Sequence, residues 1–181
     1  MMTAGRKIFL IGYRATGKSS VGRALATRLA LPFFDMDQVI EQRAGRPINA
    51  LVAAEGWEAF RRQEQAVLAE LADRKDSLVV ATGGGAVLRQ DLWPLLREEH
   101  LVVWLTAEIA TIGARLASDP ATASQRPSLT GQTVVAEIAP VLAEREPLYR
   151  QSANCVIDTT TTPLTAVVEQ IVAVYRNQNA G

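Results

Sequence analysis

One cysteine and one histidine stand among 181 residues. A lone cysteine excludes an internal disulfide, and a lone histidine excludes the usual Cys/His zinc clusters. Nineteen basic residues balance nineteen acidic ones, so no net charge marks a polyanion partner or a membrane surface. Attraction for an anion has to be local. Long apolar runs are also missing: the stretch after MMTAGRK is too short for a signal h-region or a membrane span. The chain shows no repeat, low-complexity tract or dividing linker. These absences lead us to expect a soluble, cytoplasmic protein with no nucleic-acid or membrane partner; a monomer is the expectation for its assembly.

Apolar residues make up 48% and charged residues 21%, as in ordinary globular proteins. Residues 1–181 fit one domain, able to bury about 70% of its unfolded surface. KIFLIG (7–12) is a continuous apolar run of the kind buried on both faces of a sheet. PFFD, SLVVATGGG (from 77), HLVVWLT (from 100) and ANCVIDT (153–159) read as four further strands. Helical spacing falls at 18–30 and near 57–73, 89–97, 107–117, 132–149 and 163–176. Strands alternating with helices give an α/β fold with a parallel sheet covered on both sides. Residues 116–132 collect Ser, Thr, Asp, Pro and Gly and read as a long loop of the lid type. Pro140 and Pro147 interrupt the helix expected from 132, predicting a kink or restart.

The most specific motif is GYRATGKS (12–19), a full G-x-x-x-x-G-K-[ST] between a buried strand and a helix. Backbone N–H groups of such a loop cradle phosphates. Lys18 is expected to reach the β- and γ-phosphates, and the Ser19 hydroxyl to ligate Mg²⁺. The chain therefore binds a nucleoside triphosphate. No guanine-reading N-K-x-D occurs, and the length suits a small-molecule kinase.

FFDMDQVIE (33–41) places Asp35 and Asp37 two apart at a strand end, where i and i+2 share a face. Ligands of open parallel sheets collect beyond the C-terminal strand ends, so this pair should lie near the phosphate loop. Two roles suit them: holding Mg²⁺ and accepting a hydroxyl proton. The competing reading is that one Asp caps the following helix.

In GWEAFRRQEQAVLAEL (56–71) one stripe runs Trp57, Arg61, Glu64, Leu68, Leu71, with the two charges spaced to pair. Arg62 falls on the solvated side. Arg145 continues an apolar stripe of Val134, Ile138, Val141 and Leu142. Two arginines on apolar faces suggest a compact anionic substrate, since guanidinium forks match carboxylates. TGGGAVL (82–88) offers close backbone approach and N–H donors at the end of the third strand. His100, Cys155, Trp93 and Trp104 read as structural.

The ordered set G-x-x-x-x-G-K-S, D-x-D, F-R, G-G-G, R-P and R-x-P-L-Y resembles the shikimate kinases over roughly residues 7–159. EGWEAFR and RPSLTG place it near one subgroup. The resemblance implies a three-layer P-loop kinase fold with a five-stranded parallel sheet, a substrate-binding region at about 35–63 and a lid at about 118–130. It implies transfer of the ATP γ-phosphoryl to the 3-hydroxyl of shikimate, the fifth step toward chorismate and aromatic amino acids, with one Mg²⁺. By position it implies that Asp37 contacts the reacting hydroxyl and that Asp35 and Ser19 serve the metal. Arg61 and Arg145 would clamp the acceptor carboxylate, and Gly83, Gly84 and Gly85 would line its pocket, Gly84 and Gly85 most closely. ATP would be held by Gly12, Ala15, Thr16, Gly17, Lys18, Ser19 and Ser20. Arg115 would stack on adenine and Arg126 would neutralise the moving phosphoryl.

Three departures stand out. Ala15 replaces a glycine many members carry, a mild change where the backbone avoids positive φ. IDTTTTPL lacks the basic residue usual after the last strand, and Pro140 would displace Arg145 if it kinked the late helix. The alternatives are a kinase for another hydroxylated acid such as gluconate, and a nucleotide sensor without turnover.

Overall fold

The computed structural model describes residues 5–119 and 127–179. Five strands form one parallel sheet: β1 (Ile8–Ile11), β2 (Phe33–Asp35), β3 (Val79–Ala81), β4 (Leu101–Thr106) and β5 (Cys155–Asp158). Their order is β2-β3-β1-β4-β5. Register pairs Ile8 with both Val79 and Leu101, Phe34 with Val80, and Trp104 with Val156. The helices are α1 (Lys18–Leu29), α2 (Met36–Ala44), α3 (Ile48–Asp73), α4 (Trp93–Glu99), α5 (Ile109–Ser118), α6 (Ile138–Ser152) and α7 (Leu164–Asn179).

Strand β1 explains its own apolar run. Ile8 and Leu10 join the core under α1 and α7, while Phe9 and Ile11 join the core under α2, α3, α4 and α6. Both faces are buried, so no polar alternation is possible. Connections leave β1 toward β2 on one side, and β3 leads to β4 on the other. The strand order therefore reverses at β1, and the crevice beyond its C-terminal end is the expected ligand site. A smaller cluster of Tyr13, Ile112, Leu116, Ile138 and Val141 ties α5 and α6 to the loop after β1.

Several sequence expectations need correction. Asp35 and Asp37 do not share a strand face: β2 stops at Asp35, and Asp37 lies in the first turn of α2. The long helix expected from 57 begins at Ile48, with a non-helical break at Gly56 (φ 82°, ψ 168°). The late helix begins at Ile138 rather than 132, so Pro140 sits in its first turn, where the missing N–H costs nothing. The helix runs on through Pro147 to Ser152, and Arg145 stays buried. Trp93, Trp104 and His100 are buried as expected, the His100 ring lying 5.7 Å from that of Phe9. Among the described residues no helix is long and apolar enough to cross a membrane.

Candidate active site

The loop after β1 wraps around the N-terminus of α1. Gly12 (φ 142°) and Gly17 (φ 98°) take conformations that L side chains rarely adopt, and Gly17 caps the helix. The Lys18 ammonium donates to the carbonyls of Gly12 (2.8 Å) and Tyr13 (2.7 Å), curled over the loop. A cavity of about 450 Å³ opens beside it, walled by Ala15, Thr16, Gly17, Lys18, Ser19, Ser20, Asp35, Arg115 and Thr159 among others. Gly12 is not on that wall. It lies beneath the loop, packed so closely on the Leu105 carbonyl that a methyl group would collide with it.

Ala15 does not avoid positive φ: it sits at 57°, where an L residue costs about 1–2 kcal/mol. Its carbonyl accepts from Arg115 Nη1 (3.0 Å). Arg115 also donates to the Thr159 carbonyl (2.6 Å) and hydroxyl (3.2 Å). The Thr159 hydroxyl donates in turn toward the carbonyls of Thr16 (2.9 Å) and Thr106 (3.0 Å). Thus Arg115 is fixed on the cavity wall by the segment after β5 that carries no basic residue. Thr162 and Leu164 from that segment complete the wall.

The two aspartates divide between two cavities. Asp35 Oδ2 accepts from the Ser19 hydroxyl at 2.6 Å on the nucleotide side, while Oδ1 accepts from the Asp37 N–H at 3.1 Å. The capping reading of Asp35 therefore holds, and its second oxygen is turned to Ser19 on the phosphate-loop side. Asp37 lines the second pocket with Arg14, Trp57, Arg61, Glu64, Gly83, Gly84, Gly85, Leu129 and Arg145.

In that pocket Arg61 Nη1 pairs with Glu64 Oε2 at 2.6 Å, as the i,i+3 spacing suggested, and lies 5.2 Å from the ring centres of Trp57 and Phe60. Glu64 is almost wholly buried; desolvation raises its pKa, against the opposing pull of Arg61. Its Oε1 has no hydrogen-bond partner and faces Gly83, where any side chain would strike it. A methyl on Gly85 would collide with the Arg61 guanidinium, whereas one on Gly84 meets nothing nearer than 3.5 Å. The protein's own side chains thus crowd Gly83 and Gly85, whereas Gly84 is left with room on its pocket side. The Tyr149 hydroxyl donates to the Gly84 carbonyl and braces the turn; burial pushes that phenol up to about 12. This pocket is much narrower than the first, about 30 Å³ against about 450 Å³.

Sequence reading missed Arg14, whose type is unconstrained at a variable loop position, and Glu137, which lies on no recognised stripe. Arg14 is buried, and that burial lowers its pKa. Tyr149 was part of the R-x-P-L-Y string, but nothing in the string announces its brace. Arg126 and lid positions 120–126 lie outside the described residues. No cluster of three or more His, Cys, Asp or Glu side chains fit for a metal occurs among the described residues. A Mg²⁺ ion suits the site nonetheless, since it takes few protein ligands and completes its shell with phosphate oxygens and water.

A family model described as shikimate kinase matches residues 14–176. A shikimate kinase of Nitratidesulfovibrio vulgaris is 48% identical over 92% of this chain and 94% of its own. The structure of shikimate kinase from Acinetobacter baumannii in complex with shikimate superposes with a TM-score of 0.85 at 30% identity, covering 98% of this chain and 96% of that one. A gluconokinase from Sinorhizobium meliloti shares only the fold, at a TM-score of 0.59 and 20% identity over 99% and 98% of the two chains. With its phosphate loop, its split aspartates and its arginine-walled pocket, the chain belongs to the shikimate kinase family.

Proposed function

We propose that this protein transfers the γ-phosphoryl group of ATP to the 3-hydroxyl of shikimate, giving shikimate 3-phosphate and ADP. The observation that carries this reading is the meeting of Asp37, Arg61 and Arg145 with Gly83–Gly85 in one pocket beside the phosphate loop. Arg61 and Arg145 bind the acceptor carboxylate, and aromatic and apolar walls exclude water. The Asp37 carboxylate receives the hydroxyl proton as the oxygen attacks the γ-phosphorus and the bond to the β-phosphate bridge oxygen breaks.

Lys18 exchanges its loop carbonyls for phosphate oxygens, and the amides of the loop and of the α1 N-terminus hold the rest. Ser19 and Asp35 would hold one Mg²⁺, Ser19 directly and Asp35 through its 2.6 Å link to that hydroxyl. Bound there, the ion offsets charge on the β- and γ-phosphates. Arg115 is the adenine-side wall. Arg126 is assigned to the transferring phosphoryl from the family motif alone; arginines in that role are worth roughly 10³–10⁵ in rate.

The acceptor pocket is far narrower than the nucleotide-side cavity, and its walls part as the acceptor enters. The Gly56 break, with open space around it, and the Leu129 segment are the places where they can. Residues 1–181 are taken as one catalytic unit acting as a cytoplasmic monomer, which light scattering at working concentrations checks. Asp37→Asn tests the base: it should keep shikimate binding within a few-fold and lower kcat by about 10²–10⁴. Turnover near wild type would remove Asp37 from that role.

A further inference from the structure

Glu137 has no part in the transfer just described, yet it is completely buried. A buried carboxylate is costly unless its lone pairs are met, and here they are met from two directions. Oε2 accepts from the Ser128 hydroxyl (2.8 Å), the Leu129 N–H (2.8 Å), and the Thr130 N–H (3.2 Å) and hydroxyl (3.3 Å). Oε1 faces Arg14 Nη1 at 3.4 Å, and Arg14 Nη2 donates to the Pro127 carbonyl at 3.1 Å. One carboxylate thus joins the 127–130 segment to the phosphate loop. The two elements it joins each place a residue, Leu129 and Arg14, on the acceptor pocket wall. Purely local turn chemistry would not need the reach to Arg14, 123 residues away in sequence.

We propose that Glu137 is a positioning residue for the acceptor. It holds Leu129 and Arg14 as one wall and sets that wall in register with the phosphate loop. Losing it frees Leu129 and leaves the Arg14 guanidinium buried without its counter-ion, so acceptor binding weakens while the nucleotide cavity, which neither residue lines, is spared. This inference rests on the acceptor pocket proposed above. Wild-type turnover with shikimate tests that reading, and the ratio of variant to wild type tests this one.

The experiment compares Glu137→Gln, and the double variant Ser128→Ala with Thr130→Ala, to wild type. Readouts are the separate KM values for shikimate and ATP, kcat, Tm, and shikimate affinity from the fluorescence of the pocket residue Trp57. Glu137→Gln should raise the shikimate KM and dissociation constant at least 10-fold with the ATP KM within 2-fold. The double variant, which keeps the Arg14 pair, should raise them about 3- to 10-fold. A lowered Tm with an unchanged shikimate KM, or both KM values rising together, would show a merely structural role and overturn the proposal. If Glu137→Gln does not fold, the double variant decides by the same criteria.

Discussion

Replacing Gly85 by Ala should damage the acceptor site without touching the nucleotide site. The added methyl would fall within collision distance of the central carbon and both terminal nitrogens of the Arg61 guanidinium. That group cannot shift cheaply, because Glu64 holds it at 2.6 Å and the rings of Trp57 and Phe60 flank it. Overpacking of this kind costs about 1–3 kcal/mol, roughly 2–12 °C in Tm for a chain of this size. The larger consequence is for binding. A displaced Arg61 would lose the charge-assisted hydrogen bonds proposed for it to the substrate carboxylate, worth about 1.5–3 kcal/mol, and so raise the shikimate KM about 10- to 150-fold. Gly84→Ala is the matched comparison: its methyl meets the Gly12 carbonyl at 3.5 Å, ordinary contact, so stability should change by less than ~0.5 kcal/mol. Steady-state kinetics with each substrate varied, and thermal melts of both variants, make the test. A Gly85→Ala protein with a wild-type shikimate KM, or with the ATP KM rising in parallel, would refute the assignment of Arg61 to the acceptor carboxylate.

Other outcomes follow from single contacts. Ala15→Gly and Ala30→Gly relieve left-handed alanines at φ 57° and 54°; after the entropy glycine adds to the unfolded chain, each should gain about 0.5–1 kcal/mol, read as a rise in Tm. Asp35→Asn keeps a side-chain oxygen for the α2 cap, so stability should move by less than ~0.5 kcal/mol, while the Mg²⁺ concentration for half-maximal activity rises several-fold. Burial holds the His100 pKa below its usual 6.5, and Nδ1 has no partner. The unfolded chain therefore binds that proton first, and stability is lost as pH falls below 6.5. His100→Phe should flatten that limb in melts between pH 7 and 5, and an unchanged slope would exclude His100 as its source.

Legibility in the sequence tracked whether one residue type is forced by one physical need. The phosphate loop, the strands buried on both faces and the Arg61–Glu64 pair were readable because each depends on local spacing alone. The paired aspartates were located correctly but for the wrong reason. An i, i+2 spacing looks identical whether the second residue continues a strand or enters a helix, and here Asp35 caps the helix that carries Asp37. The start of α3 was missed because Gly56 breaks the periodicity of residues 48–73 into two short stretches. Pro140 misled because the helix begins six residues later than its apolar spacing suggested. The triple glycine was read for its approach to a ligand, whereas the steric demand on its outer members comes from Arg61 and Glu64 on another element and is not visible in the string itself. Glu137 and Arg14 were invisible, since only the fold brings them together.

The most direct test of the whole account is ADP release from Mg-ATP with shikimate, with gluconate and with no acceptor. Shikimate-dependent turnover in the ~1–100 s⁻¹ range typical of kinases is expected, with little release in the other two arms. Equal release without acceptor, or release driven by gluconate alone, would contradict the acceptor assignment and leave only the nucleotide site standing.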